Sequence, residues 1–198
     1  AVERSSIDQR IDYRWIDLRT DENQLMFKAQ SCFVNAMRKF LLDRNFIEIH
    51  TPKLIAAASE SGSEVFKVDY FDRNAYLAQS PQFYKQMAMA AGFERIFETG
   101  PVFRAEKSYT NKHSTEFSGF DLEFSYITSY KDVMKMEEEL LTAGLQAVKD
   151  NYGDQIKEMF GQEVIVPTTP FPVVKLADLY KGLEEEFGYT VDESEKGD

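Results

Sequence analysis

The stretch from residue 95 to residue 126 contains the residues best suited to bind a charged substrate. Arg104 and Glu106 are two positions apart in a run that predicts a strand, so their side chains share one face. Asp121 and Glu123 have the same spacing in a later run, beyond a polar loop. If the two strands pair, one face of the sheet carries an arginine and several carboxylates. Such an arginine suits a phosphate, and the carboxylates suit an amine, a ribose or Mg²⁺.

Further polar residues are candidates for ligand contacts. Gln82 and Lys85 are three positions apart at the start of a predicted helix, so together they could bind a small carboxylate and its amine. Lys112 and His113 lie in the polar loop, where they could reach the outer phosphates of a nucleotide. Residues 59–64 are small and acidic, as in a mobile lid. From the pattern alone, an ordinary charged surface is the more common explanation for these clusters.

Several classes of site are excluded by the composition and the motifs. Cys32 is the only cysteine, so an internal disulfide and a cysteine-rich metal site are both excluded. The chain has neither a Gly-rich phosphate loop nor a dinucleotide-binding fingerprint. Its 23 basic and 34 acidic residues give a net charge of −11, so it does not bind RNA through bulk charge. No apolar run is long enough to span a bilayer, and we expect a cytoplasmic protein without membrane contacts.

The elements that position these residues follow from the hydrophobic periodicity. Helices are predicted over residues 21–44, 80–92, 130–150 and 175–187, with Thr20 as the N-cap of the first. Strands are predicted over residues 46–50, 65–70, 75–78, 95–99, 102–106 and 120–126. A turn-rich break follows at residues 166–172. A helix, several antiparallel strands and then more helices predict an α+β domain.

Two of these segments together resemble the class II aminoacyl-tRNA synthetases of the Asp, Asn and Lys subclass. The long helix and the following Phe46-Ile-Glu-Ile-His-Thr-Pro52 resemble motif 1, at about residues 21–54. The Arg104 strand, the loop and the Asp121 strand resemble motif 2, at about residues 95–126. The resemblance implies the class II antiparallel sheet flanked by helices. It also implies a homodimer formed through motif 1, with Pro52 at the interface.

The segment Ala78-Gln-Ser-Pro-Gln-Phe-Tyr-Lys85 is similar to the aspartate-specific members, of archaeal and eukaryotic type. In those members the lysine faces the substrate's side-chain carboxylate, whereas the asparagine enzymes usually lack it. The resemblance therefore implies a ligase that uses ATP and Mg²⁺ to convert L-aspartate into aspartyl-adenylate. The aspartyl group is then transferred to the 3′ end of tRNA.

The resemblance also implies a role for individual residues. Arg104 is the expected catalytic residue, bound to the α-phosphate of ATP and to the substrate carboxylate. The expected ATP contacts are Arg104, Glu106, Lys112, His113 and Ser114. The expected aspartate contacts are Glu60, Gln82, Lys85, Arg104 and Glu123. No metal ligand is expected within the chain.

Three departures from the family pattern affect the expected activity. The lid reads Ser59-Glu60-Ser61-Gly62 where two glycines are common, and Lys112 replaces the usual arginine. No Gly-rich motif 3 with an arginine follows residue 128. We therefore expect residues 1–198 to form a partial catalytic domain, incomplete at its C-terminal end, without motif 3 or the anticodon-binding domain, and with little activity alone. The alternatives are a non-catalytic paralogue that binds or regulates, an asparagine-specific ligase, and a structural dimerisation domain.

Overall fold

A computed structural model describes residues 5–57, 65–105 and 114–191. The predicted site residues Glu60, Glu106, Lys112 and His113 lie outside the described residues. The chain divides into two units, Ala1–Val166 and Pro167–Asp198. The boundary between the two units falls at the start of the turn-rich segment 166–172.

The first unit combines helices with two three-stranded sheets, which confirms the predicted α+β class. Its helices are α1 (Ile7–Asp12), α2 (Arg14–Asp17), α3 (Asp21–Leu42), α4 (Gln82–Ala90) and α5 (Tyr130–Phe160). Its strands are β1 (Ile47–Glu48), β2 (Leu54–Ile55), β3 (Lys67–Tyr70), β4 (Arg73–Leu77), β5 (Arg95–Phe103) and β6 (Glu116–Phe124). The second unit contains α6 (Leu176–Phe187). The strand orders are β1-β5-β6 and β2-β4-β3, with β1 parallel to β5 and all other pairs antiparallel.

The helix ends follow local capping chemistry. The predicted cap of α3 is confirmed, because the backbone N–H of Asn23 donates to Thr20 Oγ1 at 3.4 Å. At α4, the N–H of Gln82 donates to Ser80 Oγ at 3.3 Å, while Pro81 occupies the N-cap position. α5 continues well past its predicted end at residue 150 and stops at Gly161, which has a φ of 66°. A left-handed glycine is a frequent helix terminator, so this residue sets the real end.

The prediction of two strands separated by Gly100-Pro101 is wrong, because β5 runs unbroken from Arg95 to Phe103. Proline cannot donate a backbone hydrogen bond and is tolerated where a strand has no partner on one side. β1 pairs only with Ile96 and Phe97, so Pro101 lies beyond the end of that neighbour. The strand therefore accommodates proline without losing a hydrogen bond of the sheet. β6 is also longer than predicted, since it begins at Glu116 rather than at residue 120.

The main core lies between one face of the β1-β5-β6 sheet and the helices α3 and α5. Its buried members share apolar character: Met37, Leu41, Phe46, Phe97 and Leu140. Phe120, Leu122 and Phe124 of β6 pack against this cluster, so the predicted alternation is confirmed as far as Phe124. Asp121 and Glu123 consequently belong to the opposite face of the sheet. The predicted strand end at residue 126 is wrong, because β6 ends at Phe124 and Tyr126 is 86% exposed. In the described part of the chain, no helix is long and apolar enough to cross a membrane.

Helices α3 and α5 approach each other closely at a glycine. A Cβ atom added to Gly144 would lie 2.6 Å from Cε2 of Phe33, well inside the contact distance. Leu140 and Val148, one turn on either side, are buried in the same stripe of α5. The absence of a side chain at residue 144 therefore lets the two helices pack.

Replacing Gly144 by alanine should destabilise the fold, since the new methyl group collides with the Phe33 ring. We expect the free energy of unfolding to fall by about 1–3 kcal/mol, as in other overpacked cores. The matched control is Gly153→Ala in the same helix, where the nearest atom, Lys149 Cγ, lies at 3.6 Å. That variant should gain up to about 1 kcal/mol from helix propensity. Urea unfolding measures both, and equal stability of the two variants would contradict the packing argument.

Candidate functional site

The face of the sheet that points away from the core carries the charged residues. In the pairing of β5 with β6, Glu98 lies directly opposite Asp121, and opposed residues project to the same face. Arg104 follows β5, and its N–H donates to the carbonyl of Thr115 at 3.0 Å, so the pairing continues to this residue. With the period of two along a strand, Arg104 falls on the same face as Glu98. The structure thus brings Arg104, Asp121 and Glu123 to one face, as predicted.

Two facing glycines, followed by Val102 and Phe117, lie between the carboxylates and Arg104 on this face. Gly100 of β5 lies opposite Gly119 of β6, so neither strand projects a side chain there. A Cβ atom at Gly119 would contact Val102 Cγ2 at 3.5 Å, and one at Gly100 would contact Glu98 Oε1 at 3.6 Å. The side chains of Glu98, Lys53 and Val102 therefore already pack beside these two glycines, within ordinary contact distance of a Cβ atom.

Helix α4 adds a buried lysine to the same face. Gln82 is its first residue, and Lys85 lies one turn later with its side chain only 7% exposed. The Lys85 ammonium is paired with the Asp121 carboxylate and lies 3.3 Å from Oε2 of Glu123. A buried cation of this kind requires close counter-charges. The site therefore combines a cation with carboxylates, which suits a ligand that has both a carboxylate and an amine.

The sequence did not define the role of Asp121 in the site. Its shared face with Glu123 was evident from the alternation, but its pairing with Lys85 was not. The side chains of Asp121 and Glu123 are 29% and 31% exposed, so both remain accessible to a ligand. A ligand can therefore reach the carboxylates of this ion-pair cluster from the solvent side.

Glu98 forms a second, more buried cluster that the sequence did not reveal. Its oxygens accept hydrogen bonds from the Thr51 N–H at 2.9 Å, the Thr51 hydroxyl at 2.6 Å and the Lys53 ammonium at 2.8 Å. Burial tends to raise the pKa of Glu98. The hydrogen bonds from Lys53 and Thr51 outweigh that effect and hold the pKa below its ordinary value. Glu98 is therefore a carboxylate at neutral pH despite its burial.

The structure says less about the roles of the remaining predicted site residues in the described part of the chain. The hydroxyl of Ser114 is exposed and donates to the Glu116 carbonyl at 2.7 Å. The Arg104 guanidinium lies 5.8 Å from the centre of the Phe117 ring. Pro52 is exposed. Within the described ranges, no group of three or more His, Cys, Asp or Glu side chains is arranged to hold a metal ion.

Comparison with known proteins shows which family this chain is similar to. A family model described as tRNA synthetases class II (D, K and N) matches residues 6–196. The aspartate–tRNA(Asp/Asn) ligase of Aeropyrum pernix is 41% identical over 194 residues, which cover 98% of this chain and 44% of the relative. The cytoplasmic aspartate–tRNA ligase of Caenorhabditis elegans is 46% identical over 166 residues, which cover 84% of this chain and 31% of the relative.

A solved structure shows the same fold. The asparaginyl-tRNA synthetase of Pyrococcus horikoshii, complexed with asparaginyl-adenylate, matches with a TM-score of 0.85 and 34% identity. The match covers 95% of this chain and 43% of that protein. The chain thus spans less than half the length of each of these relatives.

The stability contributed by Glu98 should depend on pH. Because its pKa in the folded state lies below the ordinary 4.5, the contribution is complete above 4.5 and is lost as pH falls through the folded-state value. We expect Glu98→Gln to lower the free energy of unfolding by about 1.5–3 kcal/mol at pH 7, the range for hydrogen bonds to charged groups. The difference from the unsubstituted protein should shrink below pH 4.5.

Urea unfolding between pH 3 and pH 7 measures this difference. Asp43→Asn is the control, since the Asp43 side chain is 57% exposed in its ion pair with Lys39. It should change the stability by no more than about 1 kcal/mol. A loss for Glu98→Gln that stays constant over the whole pH range would contradict a charge-dependent role.

Proposed function

The chain belongs to the class II tRNA synthetases of the aspartate, lysine and asparagine group, and on this premise we propose that it binds L-aspartate and ATP as part of an aspartate–tRNA ligase. The observation that carries the proposal is the buried Lys85 ammonium on the sheet face that also bears Arg104. A buried cation matches the side-chain carboxylate that distinguishes aspartate from asparagine. The names of the relatives from Aeropyrum pernix and Caenorhabditis elegans support the same substrate.

In the proposed reaction, an oxygen of the α-carboxylate of aspartate attacks the α-phosphorus of ATP. The bond between the α-phosphorus and the pyrophosphate oxygen breaks, and aspartyl-adenylate and pyrophosphate form. A ribose hydroxyl at the 3′ end of tRNA then attacks the acyl carbon and releases AMP. Arg104 stabilises the negative charge that develops on the α-phosphate, because its guanidinium is a permanent cation on the sheet face that also carries the proposed aspartate site. Catalysis by this face therefore consists mainly of positioning and charge stabilisation.

The proposed aspartate site uses the ion-pair cluster around Lys85. The substrate's side-chain carboxylate takes the Lys85 ammonium from Asp121, and the substrate's amine pairs with the carboxylate of Glu123. Gln82, on the same side of the first turn of α4, contacts the substrate beside Lys85. An asparagine amide carries no charge and cannot replace the Asp121 carboxylate as the partner of the Lys85 ammonium, so asparagine gains no ion pair there and binds less tightly.

The proposed ATP site extends from Arg104 towards Ser114, which shortly precedes β6. Ser114 is proposed as an ATP contact. The roles assigned to Glu60, Glu106, Lys112 and His113 remain predictions from the family resemblance. Mg²⁺ accompanies ATP in the proposed reaction, and within residues 5–57, 65–105 and 114–191 no group of three or more His, Cys, Asp or Glu side chains is arranged to hold a metal ion. No residue of the described part is therefore assigned to the metal.

We further propose a cytoplasmic homodimer that contacts the acceptor end of tRNA. The motif 1 region supports dimerisation because it exposes large apolar side chains, including Met26, Phe27, Ile47 and Leu54, each about half exposed. Pro52, which is also exposed, lies in the same region. The cytoplasmic location is supported by the similarity to the Caenorhabditis elegans ligase.

An asparagine-specific ligase is the second candidate, since a protein with that specificity has the same fold at a TM-score of 0.85. The two candidate functions differ in whether they require the buried ammonium of Lys85. An asparagine site gains nothing from a buried ammonium, whereas an aspartate site depends on it. The ion-pair cluster of this chain therefore favours aspartate.

Titration with stable adenylate analogues should separate the two specificities. The protein encoded by the complete reading frame that contains this chain should bind the aspartyl analogue at least about 100-fold more tightly than the asparaginyl and lysyl analogues. Lys85→Met should remove most of the preference over asparagine, because the pocket then lacks its cation. Lys135→Met, at a lysine of α5 that is 76% exposed, should leave the preference unchanged. Tighter binding of the asparaginyl analogue would refute the aspartate assignment.

Aspartate-dependent exchange of pyrophosphate into ATP tests the proposed reaction on the same protein. Arg104→Lys keeps the charge but loses the planar pair of donors, so we expect a fall in rate of about 100-fold. Arg73→Lys, at an exposed arginine of β4, serves as the control and should retain the full rate. If the unsubstituted protein shows no exchange, it is not a ligase, and a non-catalytic relative that only binds becomes the better explanation.

A further inference from the structure

Glu98 lies on the substrate-binding face, but its carboxylate is occupied by the protein itself. Oε1 accepts from the Thr51 N–H and the Lys53 ammonium, while Oε2 accepts from the Thr51 hydroxyl. Glu98 is only 3% exposed, in contrast to the accessible carboxylates that surround Lys85. These contacts leave no role for Glu98 in binding a ligand. They instead fix the segment 51–53 to the centre of β5.

The segment that Glu98 fixes is connected to both parts of the proposed site. The carbonyl of Lys53 accepts from the Ala78 N–H at 2.9 Å, and the carbonyl of Ala78 accepts from the Phe103 N–H at 2.9 Å. Phe103 immediately precedes Arg104, and Ala78 lies shortly before α4, which carries Gln82 and Lys85. Backbone hydrogen bonds thus connect the segment held by Glu98 to Ala78 and Phe103, which adjoin the proposed aspartate-binding helix and the proposed phosphate-binding arginine along the chain.

On the basis of the ligase function proposed above, we propose that Glu98 is a positioning residue. By holding Thr51 and Lys53, it sets the distance between the Arg104 guanidinium and the residues of α4 that bind aspartate. The reaction is sensitive to this distance, because a displacement of about 1 Å between reacting groups costs about 100-fold in rate. The main core cluster packs on the opposite face of the sheet, so the stability loss expected for Glu98→Gln does not by itself account for a slower reaction in the folded protein.

The test is a set of variants in aspartate-dependent pyrophosphate exchange, on the protein from the complete reading frame. Glu98→Gln places an amide against the Lys53 ammonium, and we expect kcat to fall at least about tenfold. Lys53→Met should have a similar effect. If the two residues act as a pair, the double variant should be no slower than the slower single variant, because the losses of coupled residues do not add.

The matched control is Asp132→Asn at the start of α5. Asp132 also accepts from a threonine N–H, at 2.7 Å, the same threonine's hydroxyl, at 2.9 Å, and a third donor, the Ser129 N–H, at 3.1 Å. It contacts no part of the proposed site, so it should reduce the melting temperature without reducing kcat. Equal kcat values for Asp132→Asn and Glu98→Gln, after correction for the folded fraction, would overturn the positioning role.

A milder pair of variants keeps the inference testable if Glu98→Gln does not fold. Thr51→Val removes one hydrogen bond to Glu98 at nearly constant volume, and kcat should fall by severalfold. Thr51→Ser retains the hydroxyl and should restore kcat to near the original value. If Thr51→Val and Thr51→Ser are equally active, the inference is wrong. An unsubstituted protein without exchange activity would overturn the ligase function and this inference together.

Discussion

The antiparallel register between β5 and β6 is the constraint on which the proposed site depends. It places Glu98 opposite Asp121 and Gly100 opposite Gly119, and a slip of one residue would turn every side chain to the other face. The register is secured from the core side, where the rings of Phe97 and Phe120 stack with centroids 5.9 Å apart. Apolar packing on one face therefore determines the arrangement of charges on the other.

Lys85 and Glu98 are two buried charges on that face, and they are stabilised in different ways. The difference indicates which of them is suited to bind a ligand and which is suited to support the fold. Lys85 is paired with carboxylates that remain about 30% exposed, so a ligand can replace them. Glu98 is satisfied by donors of its own chain and is closed to solvent. Removing a charge from water is costly, and each of these groups offsets that cost with several close partners. The accessible cluster around Lys85 is therefore suited to bind a substrate. The buried cluster around Glu98 is suited to hold the surrounding backbone in place.

Long segments of the sequence show to which family the chain belongs, whereas the specificity for one amino acid depends on single residues. The family model covers nearly the whole chain and confirms the family that motifs 1 and 2 indicated. Proteins named for aspartate and for asparagine both match this fold, so the fold alone does not choose between them. The choice depends on the charge of one pocket, and Lys85 with its carboxylates provides the physical basis for the aspartate proposal.

Local chemistry explains which features the sequence by itself determined. The Thr20 cap, the alternation in β6 and the break at residues 166–172 each follow from neighbouring residues. The predicted break at Pro101 is wrong because β1 ends before this position, a fact that the local sequence does not contain. The pairing of Lys85 with Asp121 spans 36 residues, and that of Glu98 with Thr51 spans 47. Periodicity carries no information about contacts at such separations, so only the tertiary structure decided which charges meet.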